Sequence, residues 1–109
     1  EAVSVTLRGH PSLEQVAEAF KAWRGDPRVG ALPSAPEVPL RVHATEDRPQ
    51  VRLDVEKDGG MSVHVGRLRP CRLLGLKFAL LGHNTERGAA GASVLNAELA
   101  HALGYLGLS

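Results

Sequence analysis

Short segments in which apolar and polar residues alternate constrain the fold of this chain most strongly. Segments 2–8, 40–43 and 61–69 alternate, and segment 76–81 is almost entirely apolar. A period of two places every second side chain on one face of a β-strand, and Gly, Pro or charged residues close each segment. Segment 51–55 alternates as well and predicts a further strand. The chain is therefore expected to form a sheet with one buried face.

Two helices are expected beside these strands. Ser12 opens a capping box, and apolar residues follow at helical spacing over 13–24. A long second helix is predicted over 85–104, with Asn84 or Thr85 as its N-cap. A helix of that length extends about 30 Å, so it would cross the whole body of the domain or reach onto another one.

The connections complete the expected fold. Segment 25–39 contains four of the seven prolines and is expected to run extended over the surface. Asp58-Gly59-Gly60, before Met61, is typical of a hairpin turn. The predicted fold class is α+β, with a largely antiparallel mixed sheet, helices on one face and a long C-terminal helix.

Composition excludes several classes of function. The chain has 109 residues and a formal net charge of +1, which suits one globular domain and disfavours a nucleic-acid or membrane-surface binder. One cysteine, Cys71, excludes an internal disulfide framework and any zinc site with several cysteines. No signal peptide is visible in the sequence, and a reducing cytoplasm is the expected location.

Three segments carry a resemblance to a known family. Residues 83–98 have the sequence HNTERGAAGASVLNAE, residues 65–69 are VGRLR, and residues 46–54 are EDRPQVRLD. Together they resemble the C-terminal part of aspartate-semialdehyde dehydrogenase in its archaeal and fungal branch, with Val51 in place of a proline. The resemblance covers nearly the full chain.

The resemblance implies a fold and a reaction. The family's C-terminal domain is like that of glyceraldehyde-3-phosphate dehydrogenase and serves both catalysis and dimerisation. Its enzymes reduce aspartyl phosphate to aspartate semialdehyde with NADPH, by way of a cysteine thioester, and release phosphate. Residues 1–109 are then expected to be a single domain of a larger enzyme, partnered by a nucleotide-binding domain and by further copies of the chain, as a dimer or tetramer formed through the sheet.

The resemblance also implies where the site residues lie. Asn84 matches the position whose side chain approaches the nicotinamide amide of NADP, and Thr85 could support that contact. The nucleophilic Cys and the acid–base His are expected upstream of Glu1, so no catalytic residue is assigned within the chain. His10 is interpreted as a turn residue and Cys71 is not considered a substitute nucleophile.

Other polar residues were weighed as site residues. His64 and His83 are expected to pack or to face solvent, and no metal site is predicted, because no convincing set of ligands surrounds them in the sequence. Four arginines could pair with carboxylates across a dimer or lie at solvated strand edges: Arg48, Arg52, Arg67 and Arg69.

Two other functions remain open. Malonyl-CoA reductase is a close relative with a similar C-terminal pattern, and a non-catalytic module that dimerises would also fit a chain without a nucleophile or a phosphate-binding loop. The chain alone is expected to be inactive and, through an exposed apolar patch, to self-associate.

Overall fold

A four-stranded mixed sheet forms the centre of the computed structural model, which describes residues 1–107. Its strand order is β1-β4-β3-β2; β4 pairs antiparallel with both β1 and β3, whereas β2 lies parallel to β3. The strands are β1 (Ala2–Val5), β2 (Leu40–Val42), β3 (Val63–Cys71) and β4 (Gly75–Leu81). The predicted α+β class with a largely antiparallel mixed sheet is thereby confirmed.

Four helices and one 3₁₀ turn connect or follow the strands. The helices are α1 (Leu13–Ala22), α2 (Pro27–Gly30), α3 (Val51–Asp54) and α4 (Ala90–Ala102), and the 3₁₀ turn is Lys57–Gly60. Among residues 1–107 no helix is long and apolar enough to cross a membrane.

Helix α1 covers one face of the sheet. The predicted capping box is present: the Ser12 hydroxyl accepts the Gln15 N–H at 3.1 Å, and the Gln15 side chain accepts the Ser12 N–H at 2.8 Å. Phe20 meets Phe78 of β4 edge to face, with ring centroids 5.5 Å apart, and Val16 is buried. The apolar stripe of α1 therefore closes over the side of the sheet to which Phe78 points.

The opposite face is covered in part by residues 44–62, here called the covering segment. Gly66 of β3 is paired with Ala79 of β4, and a Cβ atom added to Gly66 would lie 2.1 Å from the Arg48 carbonyl oxygen and 2.7 Å from Pro49. The covering segment can therefore approach the sheet so closely only because residue 66 has no side chain.

Two predictions about the covering segment are wrong. Residues 51–55 do not form a strand, because the Asp54 carboxylate accepts the Gln50 N–H at 2.8 Å and the Asp54 N–H donates to the Gln50 carbonyl at 2.9 Å, which winds the segment into the single turn of α3. Val51 and Leu53, which alternation would bury, are 64% and 51% exposed.

Asp58-Gly59-Gly60 is not a hairpin turn either. It forms a left-handed turn, with φ of 55°, 63° and 78° at the three residues, and it leads into β3, which pairs parallel with the preceding strand β2. The tight connection between antiparallel strands lies instead between β3 and β4, at residues 72–74. Residues 58–60 do form a turn, as their sequence predicts. The sequence of a turn does not, however, specify which strands it connects.

Several element boundaries also differ from the prediction. Strand β1 ends at Val5 rather than residue 8, and β3 begins at Val63 rather than Met61. The Pro-rich segment 25–39 is not extended throughout, because the Asp26 side chain accepts the Arg28 N–H and caps the one-turn helix α2. Farther along this segment, the Ser34 hydroxyl donates to Glu98 of α4 at 2.6 Å.

The C-terminal helix is shorter than predicted. Helix α4 spans Ala90–Ala102, not 85–104, and thirteen residues extend only about 20 Å. Its first predicted turn is replaced by an irregular turn in which the Ala90 N–H donates to the Thr85 carbonyl at 2.6 Å.

We predict that Gly66→Ala lowers the free energy of unfolding by about 1–3 kcal/mol, because the new methyl group would overlap the Arg48 carbonyl and Pro49. Gly30→Ala is the matched control, since a Cβ atom there meets nothing within 4 Å. Urea unfolding of the two variants measures the difference, and equal midpoints would contradict the close approach.

Candidate functional site

The segment between β4 and α4, residues 82–89, forms what we call the Asn84 turn. The Gly88 N–H donates to the His83 carbonyl at 2.9 Å and closes the turn. A Cβ atom at Gly88 would lie 2.5 Å from the Asn84 carbonyl oxygen. The turn is therefore held tight around Asn84 by a glycine that no larger residue can replace without a shift of the backbone.

The predicted role of Asn84 or Thr85 as a helix cap is wrong. The residue that caps α4 is Ala89, without a hydrogen bond from its side chain. The N–H groups of Thr85 and Glu86 donate instead to Nδ1 of the His83 ring, at 3.1 and 3.0 Å. His83, and not Asn84, is thus the side chain that accepts the free N–H groups of this turn. The Asn84 side chain makes no hydrogen bond within the part of the chain that the structure describes.

Asn84 is exposed at the rim of a cavity of about 280 Å³. The turn contributes Asn84 and Arg87 to its lining, and the ends of the neighbouring strands contribute Val63 and Leu80. An amide at such a position can both donate and accept a hydrogen bond.

The covering segment packs directly against the Asn84 turn. A Cβ atom at Gly60 would lie 2.9 Å from Cβ of Glu86 and 3.0 Å from the His83 ring. A Cβ atom at Gly91 would lie 2.4 Å from the sulfur of Met61. The 3₁₀ turn and the start of α4 are thus in direct contact, and two glycines permit this packing.

A buried carboxylate anchors the covering segment. Asp54 has no exposed surface, and it accepts hydrogen bonds from the Arg48 guanidinium, from the Gln50 N–H and from Lys57 Nζ at 2.9 Å. The hydrogen bonds from Arg48 hold the pKa of the Asp54 carboxyl well below its ordinary range. Arg48 therefore pairs within its own chain and does not lie solvated at a strand edge, whereas its pairing across a dimer stays a prediction.

Two histidines lie between this anchor and the sheet. His64 of β3 is buried, as expected of a packing residue, and its Nδ1 atom lies 2.9 Å from Nε2 of His43. Its other ring nitrogen lies 3.2 Å from the Ser62 hydroxyl. Burial lowers the pKa of both histidines, which favours their neutral forms, and the two rings share one hydrogen bond.

The structure brings together a set of possible metal ligands that the sequence did not reveal. One ligand atom from each of His43, Asp54 and His64 lies within 4.8 Å of the others. Both Asp54 oxygens, however, already accept hydrogen bonds from the cations Arg48 and Lys57. We therefore interpret the group as a hydrogen-bond network that fixes the covering segment.

A second ion pair holds the 3₁₀ turn to the sheet. Arg41 of β2 donates to both carboxylate oxygens of Asp58, at 2.6 and 2.8 Å, and these bonds lower the pKa of Asp58 to about 2. Asp58 has positive φ, a conformation that costs free energy outside glycine. The bidentate pair offsets that cost and fixes the turn beneath His83.

The remaining candidate residues lie elsewhere. His10 occupies a turn with φ of 46°, as predicted. Cys71 pairs with Gly75 at the opposite end of β4 from Asn84, about 20 Å away for a strand of that length. Hydrogen bonds from the backbone of Leu74 and Leu73 lower the pKa of Cys71, but neither histidine of the buried pair hydrogen-bonds to it.

The other arginines of the sequence analysis are exposed. Arg52 lies on α3, and Arg67 and Arg69 lie on β3 at its bulge, where Arg69 donates to the Arg67 carbonyl. Their pairing across a dimer stays a prediction.

Sequence reasoning missed Asp54 and His43 as contributors to the site. The available signal was the charged run at 46–54, in which an acid follows an arginine at a distance of six residues. Residues six apart lie on different faces of a helix, and along a strand they share a face but are about 20 Å apart, so neither period indicates a contact between the two residues.

Comparison with known proteins places these features in context. The family model described as "Semialdehyde dehydrogenase, dimerisation domain" matches residues 1–87. Aspartate-semialdehyde dehydrogenase of Methanothermobacter thermautotrophicus is 50% identical over 101 residues, which is 91% of this chain and 29% of that protein. Malonyl CoA reductase (NADP) of Metallosphaera sedula is 41% identical over 108 residues, 97% of this chain and 30% of that protein.

A solved structure is similar as well. The crystal structure of aspartate-semialdehyde dehydrogenase with NADP from Candida albicans matches with a TM-score of 0.76 and 41% identity, over 88% of this chain and 27% of that chain. The chain thus spans less than a third of the length of these proteins.

We predict that Asp54→Asn lowers the free energy of unfolding by about 2–3 kcal/mol, because it removes the charge that Arg48 and Lys57 share. Asp26→Asn is the control: Asp26 also pairs with an arginine, but at the exposed surface, and little change is expected. Urea unfolding at neutral pH measures both, and similar losses would argue against Asp54 as the anchor.

We predict that stability falls on acidification below about pH 6.5, because the folded state holds His43 and His64 neutral whereas the unfolded state binds protons there. Asp54 faces the pair and favours protonation, but Arg48, Lys57 and Arg41 oppose it.

The carboxylates of Asp54 and Asp58 add a further loss below about pH 4, because their pKa is lowered in the folded state. His43→Gln should reduce the loss of unfolding free energy between about pH 6.5 and 5, because only His64 of the pair then binds a proton on unfolding. The exposed His101→Gln should leave that loss unchanged, and an unaltered pH profile of His43→Gln would contradict the assignment.

Proposed function

The chain belongs to the family of semialdehyde dehydrogenase dimerisation domains, and we propose that it is this part of an aspartate-semialdehyde dehydrogenase. Such an enzyme reduces aspartyl phosphate to aspartate semialdehyde with NADPH and releases phosphate. Support comes from the 50% identity to the Methanothermobacter enzyme over most of the chain. The structural observation that carries the proposal is the exposed Asn84 amide at the cavity rim, on a turn that is packed in place.

Asn84 is the proposed contact to the nicotinamide amide, with Thr85 beside it. The residues fit such a ligand: the Asn84 amide is exposed and hydrogen-bonds to nothing within residues 1–107, and Gly88 packs directly against the Asn84 backbone and keeps the turn tight. NADPH, when bound, supplies the hydride for the reduction. The task of Asn84 is to hold the carboxamide and thereby select the face of the ring that is presented.

The nucleophilic cysteine and the acid–base histidine are proposed to come from polypeptide that precedes Glu1. Cys71 does not fit that role, because it lies at the end of β4 remote from Asn84. The chain would accordingly position cofactor and partner subunit, whereas covalent catalysis would be performed by residues outside it.

Homo-oligomerisation through the sheet is the proposed second role. The face that the covering segment occupies near Gly66 continues across β4 and β1 with the small side chains of Ala79, Ala2 and Ser4, and with Lys77, which pairs with Ser4. Ser4 and Ala2 are exposed, as are Val51 and Leu53 of α3, and these small and apolar side chains suit close packing against a second copy.

Malonyl-CoA reductase is the second candidate, favoured by the 41% identity of the Metallosphaera enzyme over 97% of this chain. Both enzymes would use the same Asn84 contact, and they would differ in residues that bind the acyl group.

We predict that the intact polypeptide containing this chain oxidises NADPH with aspartyl phosphate and that residues 1–109 alone are inactive, since the nucleophile is proposed to lie outside them. A coupled assay with aspartyl phosphate and with malonyl-CoA decides between the two candidates. Activity on malonyl-CoA only would overturn the first choice, and turnover by the isolated chain would overturn the proposed location of the nucleophile.

We predict that Asn84→Ala in the intact enzyme raises KM for NADPH about three- to tenfold, the effect of losing one hydrogen bond to a neutral group. Asn96→Ala is the matched control, because Asn96 is also exposed but lies on α4 beyond the turn. Equal KM values for the two variants would argue against the contact.

A further inference from the structure

His83 lies at the centre of the Asn84 turn and links its two sides. Its Nδ1 atom accepts the N–H groups of both Thr85 and Glu86. A nitrogen that accepts two hydrogen bonds carries no proton, so the proton of the neutral ring resides on Nε2. The ring therefore joins residue 83 to residues 85 and 86 and brackets Asn84 between them.

The covering segment holds the ring from the other side. Nε2 lies 3.5 Å from the Glu56 carboxylate, which favours the tautomer with the proton on Nε2. The ring edge lies against Gly60, where an added Cβ atom would approach Cδ2 to 3.0 Å. His83 is thus wedged between the 3₁₀ turn and the backbone on either side of Asn84.

We propose that His83 is a positioning residue for Asn84, and through it for the nicotinamide carboxamide; this inference rests on the proposed function. The imidazole acts as an acceptor that sets the backbone of residues 84–86 before cofactor binds. Without it, two N–H groups lose their partner and the Asn84 amide is no longer held at one place on the cavity rim.

Substitution of His83 by Asn or by Gln distinguishes the hydrogen bonds that its ring accepts from the space that the ring fills. In His83→Asn, the side-chain oxygen occupies nearly the position of Nδ1 and can accept the same N–H groups. In His83→Gln, the amide matches Nε2 instead and leaves those N–H groups without an acceptor. His83→Ala removes both functions.

The experiment uses the intact dehydrogenase that contains this chain and measures kcat and KM for NADPH. We expect His83→Ala and His83→Gln to raise KM about three- to tenfold, with a smaller effect on kcat, and His83→Asn to restore KM to within about twofold. If all three variants bind NADPH equally well, or if Asn is no better than Gln, the positioning role is overturned.

A double-mutant cycle tests whether His83 acts through Asn84. Adding His83→Ala to Asn84→Ala should raise KM no further than Asn84→Ala does alone. Additive effects would overturn the inference while leaving the Asn84 contact intact. A normal KM in Asn84→Ala, by contrast, would defeat the proposed contact itself, so the two failures are distinguishable.

A measurement on the unmodified enzyme tests the same inference even if the His83 variants fail to fold. Imidazole ¹⁵N spectra should show Nδ1 of His83 without a proton, as its two accepted hydrogen bonds require. A ring protonated on Nδ1 could not accept from Thr85 and Glu86, and that result would overturn the inference.

Discussion

The buried carboxylate of Asp54 is the interaction on which the arrangement of the covering segment depends. It takes hydrogen bonds from a guanidinium, an ammonium group and a backbone N–H in a place without solvent. A buried charge is tolerated only when it is paired and hydrogen-bonded, so these partners must assemble together. Because Arg48, Gln50 and Lys57 all belong to the covering segment, their assembly folds that segment on itself and against the sheet.

The position of the Asn84 turn follows from this anchor. The 3₁₀ turn begins only three residues after Asp54 and is fixed a second time by the pair between Arg41 and Asp58. Its Gly60 then lies against Glu86 and His83, and Met61 lies against Gly91. Contacts therefore run without a gap from the sheet through the covering segment to Asn84, the proposed cofactor contact. They consist of ion pairs and of close packing at glycines.

Much of the fold could be predicted from local patterns, because those patterns report local physics. The alternation in β1, β2 and β3, the apolar run of β4 and the capping box of α1 all correspond to elements in the structure, and the resemblance to aspartate-semialdehyde dehydrogenase is confirmed. Two of the failures share one cause. At 51–55 and at 85–89, hydrogen bonds to the side chains of Asp54 and His83 replace the regular backbone pattern that alternation or helix propensity would favour.

The amino-acid sequence by itself determined the family, the α+β class and the candidate Asn84, since each depends on residues that are neighbours in the chain or on a contiguous motif. Only the tertiary structure decided that β2 runs parallel to β3, that Arg48 pairs with Asp54, and that His83 rather than Asn84 receives the free N–H groups of the turn. Those outcomes depend on hydrogen-bond partners that neither a helix period nor a strand period specifies.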